Sequence, residues 1–156
     1  MGTYSYRVTG FTPSTANDTL GLVPASNRRI QLIDTALMGI GTSSASTEQG
    51  YFRQTAAGSG TAATAVTAAK WSIDGVAAAS SGSTGAWGTT QPTVTAGTAL
   101  INLGVNANGG IFRWTARPGE EIEFNGRSSD ALSMRAITAG AGANWSMYAV
   151  EVEDPM

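Results

Sequence analysis

The chain contains neither cysteine nor histidine in its 156 residues. The first absence excludes a disulfide framework and thiolate metal sites. The second removes the usual neutral-pH general base and the commonest metal ligand. Charge is scarce as well: 13% of residues are Asp, Glu, Lys or Arg, about half the share usual in soluble domains. Nine basic against eleven acidic residues leave a net charge of −2, too near balance to point to nucleic acid or an anionic membrane. A sparsely charged surface suits a protein packed against neighbours. No apolar run reaches membrane-spanning length, and the start, MGTYSYRV, lacks the basic-then-apolar order of a signal peptide.

What is present is 42% hydrophobic residues, enough for one domain over residues 1–156 that buries roughly 70% of its unfolded surface. Much of that fraction is alanine, so the core must come from Ile, Leu, Val, Met and aromatic positions. The clearest organisation lies at 99–125, ALINLGVNANGGIFRWTARPGEEIEFN. Three alternating runs, 100–105, 111–115 and 120–124, are separated by an Asn/Gly turn and by Arg117-Pro118-Gly119-Glu120. In the middle run Phe112 and Trp114 share one face while Ile111, Arg113 and Thr115 share the other, as on a strand lying over a core. The expectation is a three-stranded antiparallel meander.

Along the rest of the chain, Tyr4, Tyr6 and Val8 alternate in a first strand or arm over about residues 1–10. Residues 10–27, with Pro13, Asn17, Asp18, Gly21 and Pro24, read as a long connection. Residues 28–40 fit a helix through Ile30, Ile33 and Leu37, or a strand through Ile30, Leu32, Ala36 and Met38 with Asp34 as the exception. The strand is favoured because the other runs need partners. A loop at 39–50 then leads to a short strand at 51–55. From 55 to 69 every residue is Ala, Gly, Ser, Thr or Val, and no charge occurs between Asp74 and Arg113. This composition is read as ordered loops and short strands anchored by Trp71, Ile73 and Trp87, with a short strand at 93–95. After a polar turn at 126–130, residues 132–137 alternate. In 143–153 Trp145 and Met147 face one way and Tyr148, Val150 and Val152 the other, which suggests a bulge or burial on both faces. The whole is predicted to be all-β, an antiparallel two-sheet sandwich of jelly-roll type with about eight or nine strands.

Motifs that would carry chemistry are outweighed by plainer readings. Gly58-Ser59-Gly60-Thr61-Ala62-Ala63, with Asp74 beyond it, matches a dinucleotide turn in letters, but no strand–helix repeat follows. Residues 81–85 brush against a nucleophile elbow, but Ser83 has no histidine to serve as its base. Glu120, Glu121, Glu123, Asp130 and Asp34 could form a calcium site or a glycosidase pair. Glu121 and Glu123 opposite Ile122 and Phe124 read instead as a solvated edge. Trp114 and Trp145 read as core. Trp87, in an uncharged loop, either folds back or docks into a neighbour. The sequons at Asn17 and Asn144 carry no weight without a secretory signal.

Taken together, TYSYRV, RRIQLIDTAL, YFRQTAAGSGTAATAVT, QPTVTAGTALINLGVNANGGIFRWTARPGEEIEF and the closing aromatic strand resemble small β-rich proteins encoded among tailed-bacteriophage virion genes, of the head decoration (cement) kind. The resemblance spans nearly the whole chain and departs at 76–88, which here is rich in Ala, Gly and Ser. It implies a non-enzymatic virion protein without cofactor, assembled in the bacterial cytoplasm. It also implies a trimer seated on the capsid surface, where it fastens major capsid protein subunits. Tyr4, Tyr6 and Arg7 in the arm and Trp87 in the loop are the expected contacts. The alternatives are a tail or fibre component, and a carbohydrate-binding module stacking sugars on Trp71 and Trp87.

Overall fold

The computed structural model describes residues 1–61, 63–71, 75–95, 97–126 and 130–156. Ile73, Asp74, Ala62 and residues 127–129 of the polar turn lie outside the described residues. The regular structure among them is all strand: β1 (Gly2–Phe11), β2 (Asp18–Val23), β3 (Arg28–Gly39), β4 (Ser46–Ala56), β5 (Thr64–Val66), β6 (Ala69–Lys70), β7 (Ser81–Gly85), β8 (Thr93–Val94), β9 (Ile101–Asn106), β10 (Ile111–Thr115), β11 (Ile122–Asn125), β12 (Leu132–Thr138) and β13 (Trp145–Pro155). They form two antiparallel sheets. One has six strands in the order β10-β3-β13-β1-β6, with β11 also on β3. The other has seven in the order β5-β7-β2-β12-β4-β8, with β9 also on β4.

The first sheet is built on the β3–β13 ladder, which runs from Trp145 opposite Gly39 to Pro155 opposite Arg28. Val150 faces Asp34 but Glu151 faces Leu32, so Ile33 is an extra residue on β3. That one residue resolves the odd alternation in the sequence. Ile30 and Leu32 point inward before it, and Thr35 and Leu37 point inward after it, all four fully buried. The second sheet answers with Leu20, Leu22, Tyr51, Leu103, Leu132 and Met134, and the two inner faces share one apolar cluster. A polar link crosses it. Thr35 Oγ1 donates to the Tyr148 carbonyl at 2.8 Å and so accepts from the Tyr51 hydroxyl, also at 2.8 Å. Tyr51 belongs to one sheet and Thr35 to the other.

Several expectations are corrected. Thirteen strands are present among the described residues instead of eight or nine. Three of the unexpected ones, β5 to β7, are two- to five-residue pieces within 57–100, while β8 is the short strand expected at 93–95. The 10–27 connection contains β2, where Leu20 and Leu22 are buried on one face. The polar Asp18, Thr19 and Gly21 disguised it as a turn, although Asp18 and Thr19 are themselves buried. The loop at 39–50 ends early because β4 begins at Ser46. The meander does not form: β9 pairs with β4 in the other sheet, while β10 and β11 lie end to end along β3. The turn at 117–120, closed by Glu120 N–H to the Arg117 carbonyl at 2.9 Å, is a detour opposite the Ile33 bulge and not a reversal. Strand is confirmed over helix at 28–39. The N-terminal residues form a strand between β13 and β6.

Residues between β4 and β9 form an insertion that reaches around the molecule. β7 and β5 extend the second sheet beyond β2, and β6 extends the first beyond β1. One side of the sandwich is thereby sealed, while on the other β9 and β10 remain outermost.

Trp145 is fully buried, and Gly140 packs against its ring. Trp145→Ala is expected to cost about 3–5 kcal/mol of stability through lost burial and a residual cavity, read as a lower urea midpoint in equilibrium unfolding.

Candidate binding surfaces

Four of the acidic residues that could have formed a catalytic pair, Asp34, Asp130, Glu121 and Glu123, are held by hydrogen bonds or ion pairs within the fold. Asp34, buried on the outer face of the first sheet, receives Arg113 in a two-pronged contact (Nε to Oδ1 3.0 Å, Nη2 to Oδ2 2.5 Å), together with Thr115 Oγ1 and the Tyr148 hydroxyl. Asp130 is held by Arg53 Nη1 at 3.1 Å. Glu123 accepts from Gln31 at 2.6 Å, and Glu121 accepts from the Gly119 N–H at 2.8 Å. Among the described residues no three acidic side chains are placed to hold a metal ion. The glycine run at 58–61 opens no helix. It forms a bridge, Ser59 opposite Thr90, with Gly88 N–H donating to the Thr61 carbonyl at 2.9 Å.

Two arrangements have the shape of a binding surface. The first is a cleft of about 420 Å³ on the outer face of the second sheet, with Phe52, Val94, Ala99, Ile137, Asn102 and Arg135 among its walls. Its volume falls in the range of small-ligand sites. Gly50 leaves room for the Phe52 ring to lie flat, since a Cβ there would stand 2.8 Å from it. Arg135 is buried; its Nε donates to Asp18 and its Nη2 to the Pro92 carbonyl. Ser133 Oγ donates to Asp18 at 3.0 Å and accepts from Gln54 at 2.9 Å. Burial raises the Asp18 carboxyl above its ordinary range even with Arg135 and Ser133 opposing. The cleft can hold an apolar group beside a guanidinium whose charge is already balanced.

The second is the start of β1. Met1, Trp71 and Val76 are 89%, 64% and 75% exposed. Trp71 N–H donates to the Thr3 carbonyl at 3.1 Å, and Val76 lines a small cavity with Met1 and Gly2. Trp71 was expected to anchor the insertion; here it stands in solvent. The anchoring is done by polar side chains of β1 and β13. The Tyr4 hydroxyl donates to the Val76 carbonyl at 2.9 Å, and the Tyr6 hydroxyl to the Ser80 carbonyl at 3.3 Å. Glu153 accepts from the Ala79 and Ser80 N–H groups at 3.1 and 2.7 Å.

The expected contact residues therefore divide. Tyr4 and Tyr6 are buried and hold the insertion from inside, because β1 is a sheet strand whose inner face they occupy. Arg7 is exposed on the outer face, opposite Tyr148. Trp87 folds back: its ring lies on Gly58, where a Cβ would sit 2.5 Å away, and its backbone is clipped by Gln91 at 3.2 and 3.1 Å. Trp71 and Trp87 sit against different sheets and form no shared stacking platform. Sequence reasoning missed Glu151 and Glu153. They follow Trp145, Met147 and Ala149 on the inward face of β13 at period two, so the signal was the continued alternation.

Glu151 is fully buried, and among the described residues the group nearest to serving its oxygens is the Tyr6 phenol, whose hydroxyl is directed to the Ser80 carbonyl. Burial pushes its carboxyl up to about 8, with the Tyr6 phenol opposing and Glu153 adding to the rise. It is therefore mainly protonated at neutral pH. No family model matches the chain, and no curated protein and no solved structure matches it.

The Glu151 contribution to stability is complete below the ordinary carboxyl value of 4.5 and falls as pH rises toward about 8, at up to about 1.4 kcal/mol per pH unit. Glu151→Gln should remove that slope and leave the variant more stable than the parent at pH 8. Urea unfolding from pH 5 to 9 measures the difference. Parallel curves would show that Glu151 already ionises inside the fold.

Proposed function

We propose that this chain is a non-catalytic bacteriophage virion protein, a capsid decoration or cement protein that binds the outer lattice and ties major capsid protein subunits together. The observation that carries the reading is the strand order. With the insertion strands set aside, one sheet runs β1-β13-β3-β10 and the other β2-β12-β4-β9. Steps along the chain alternate between the sheets from β1 to β4, and again across β9–β10, β11–β12 and β12–β13. We read this order, with β10 and β11 sharing one strand position, as the wrapping of a jelly roll, an architecture common among viral capsid domains. Architecture alone does not assign function. The segments quoted above, which resemble phage head decoration proteins, supply the rest.

A cement protein acts by buried area. Each bound copy adds its binding free energy to the assembled shell and not to the free subunits. The exposed Trp71, held beside the start of β1, provides the apolar contact, since Trp is among the residues enriched at the energetic centre of such interfaces. Arg7 lies on the same strand.

The test uses heads of the phage that encodes the chain, stripped of it and then incubated with purified protein. Saturable rebinding on capsid lattice positions, with DNA released at a higher temperature, is expected. Trp71→Ala should lower occupancy about tenfold or more without changing the melting of the free protein. Binding confined to the tail, or absence of the chain from purified virions, would overturn the assignment.

A further inference from the structure

We propose that β10 is a self-association edge, along which two copies pair antiparallel about a two-fold axis at Arg113, continuing the six-stranded sheet from one copy into the next. The inference does not rest on the capsid reading, and it gives a dimer where the resemblance implies a trimer.

The remaining outer edges are protected. β5, β6 and β8 are two or three residues long, too short to template another strand. β9 shows solvent Asn102, Gly104 and Asn106, whose residue types disfavour strand addition. Asn102 and Asn106 are moreover tied to Glu48 and Ser44. β11 carries Glu123 and Asn125 on its outer face. β10 alone in this set is Ile-Phe-Arg-Trp-Thr, rich in strand-forming residues, with Ile111 73% and Phe112 40% exposed. Its one charge, Arg113, is already neutralised by Asp34, so it does not repel an approaching strand as an edge lysine would.

The free backbone groups fit this pairing. Gly110 accepts from Gly39 N–H, and Ala116 N–H donates to the Ile33 carbonyl, so even-numbered residues bond inward to β3. The N–H and C=O of Ile111, Arg113 and Thr115 point to the open edge. A two-fold axis at Arg113 places Arg113 opposite its own copy and Ile111 opposite Thr115, all three as hydrogen-bonded pairs. The same register sets Phe112 opposite Trp114 twice on the inner face, an aromatic cross-strand pair of the stabilising kind. A shift by two residues would replace the two Phe112–Trp114 pairs with a single pair, Phe112 on Phe112 or Trp114 on Trp114. Five paired residues a side make a small interface, so the dimer is expected to populate at concentrations on the order of tens of micromolar.

The absence of native cysteine allows a direct test of register. Arg113→Cys should oxidise to a covalent dimer, because a hydrogen-bonded antiparallel pair holds its Cα atoms about 5.5 Å apart. Ile111→Cys alone should not cross-link. The double variant Ile111→Cys, Thr115→Cys should, and it keeps the Arg113–Asp34 contact intact. In sedimentation the parent chain should reach dimer mass, and Ile111→Lys should remain monomeric with unchanged melting. A parent that stays monomeric at on the order of 100 µM, a trimer that survives Ile111→Lys, or equal cross-linking of the Ile111→Cys and Arg113→Cys variants would overturn the proposal.

Discussion

The constraint on which the rest of this structure depends is the register of β13 on β3. Eleven residue pairs join these strands, and β13 passes its inward side chains to the core on one side and supports β1 on the other. The single extra residue at Ile33 lets one strand present Leu32 and Leu37 to the same interior although they are an odd number of residues apart. The cost is a local break in the ladder, and the compensation is visible on the outer face. There Asp34, turned outward by the bulge, gathers Arg113, Thr115 and Tyr148 and so fixes β10 to the sheet. A bulge, a buried carboxylate and an edge strand are thus one arrangement.

The same ladder sets the polar interior. Because β13 keeps its period of two past the apolar residues, Glu151 and Glu153 must enter the sandwich. Glu153 is satisfied by two backbone donors of the insertion, and burial keeps Glu151 protonated at neutral pH. The insertion's small residues explain why this works. A chain of Ala, Gly and Ser can bring its own amides against a carboxylate and its carbonyls against two phenols, where bulkier side chains would hold the backbone away. What composition suggested was low complexity is here a strap held to β1 and β13 through its own amides and carbonyls.

Much of the architecture was legible in the sequence, and the failures have physical causes. Alternation revealed β1, β10, β12 and β13 because their inner residues are large and apolar. β2 was hidden because Asp18 and Thr19 are buried with hydrogen-bond partners and so look like turn residues. The meander failed because local turn chemistry does not say whether a chain reverses within a sheet or passes to the other one; long-range pairing with β3 and β4 decided it. Tyr4 and Tyr6 were read as contact residues on the strength of position. Their hydroxyls reach carbonyls more than seventy residues away, which no local pattern records. Trp71 stands in solvent while Trp87 packs down for a similar reason, since only the fold placed Gly58 beneath one of them.

The docking of the strap has a consequence for how the molecule is made. Its two amide acceptors belong to Glu153 on β13, while the segment they hold lies more than seventy residues earlier. On a ribosome the insertion must wait, its edges uncovered, until the last strand has emerged and slotted between β1 and β3. Closure of the sandwich therefore depends on β13 taking its place between β1 and β3. A product cut short within β13 would leave the strap unlatched and marked for removal by the proteases that act on loose backbone.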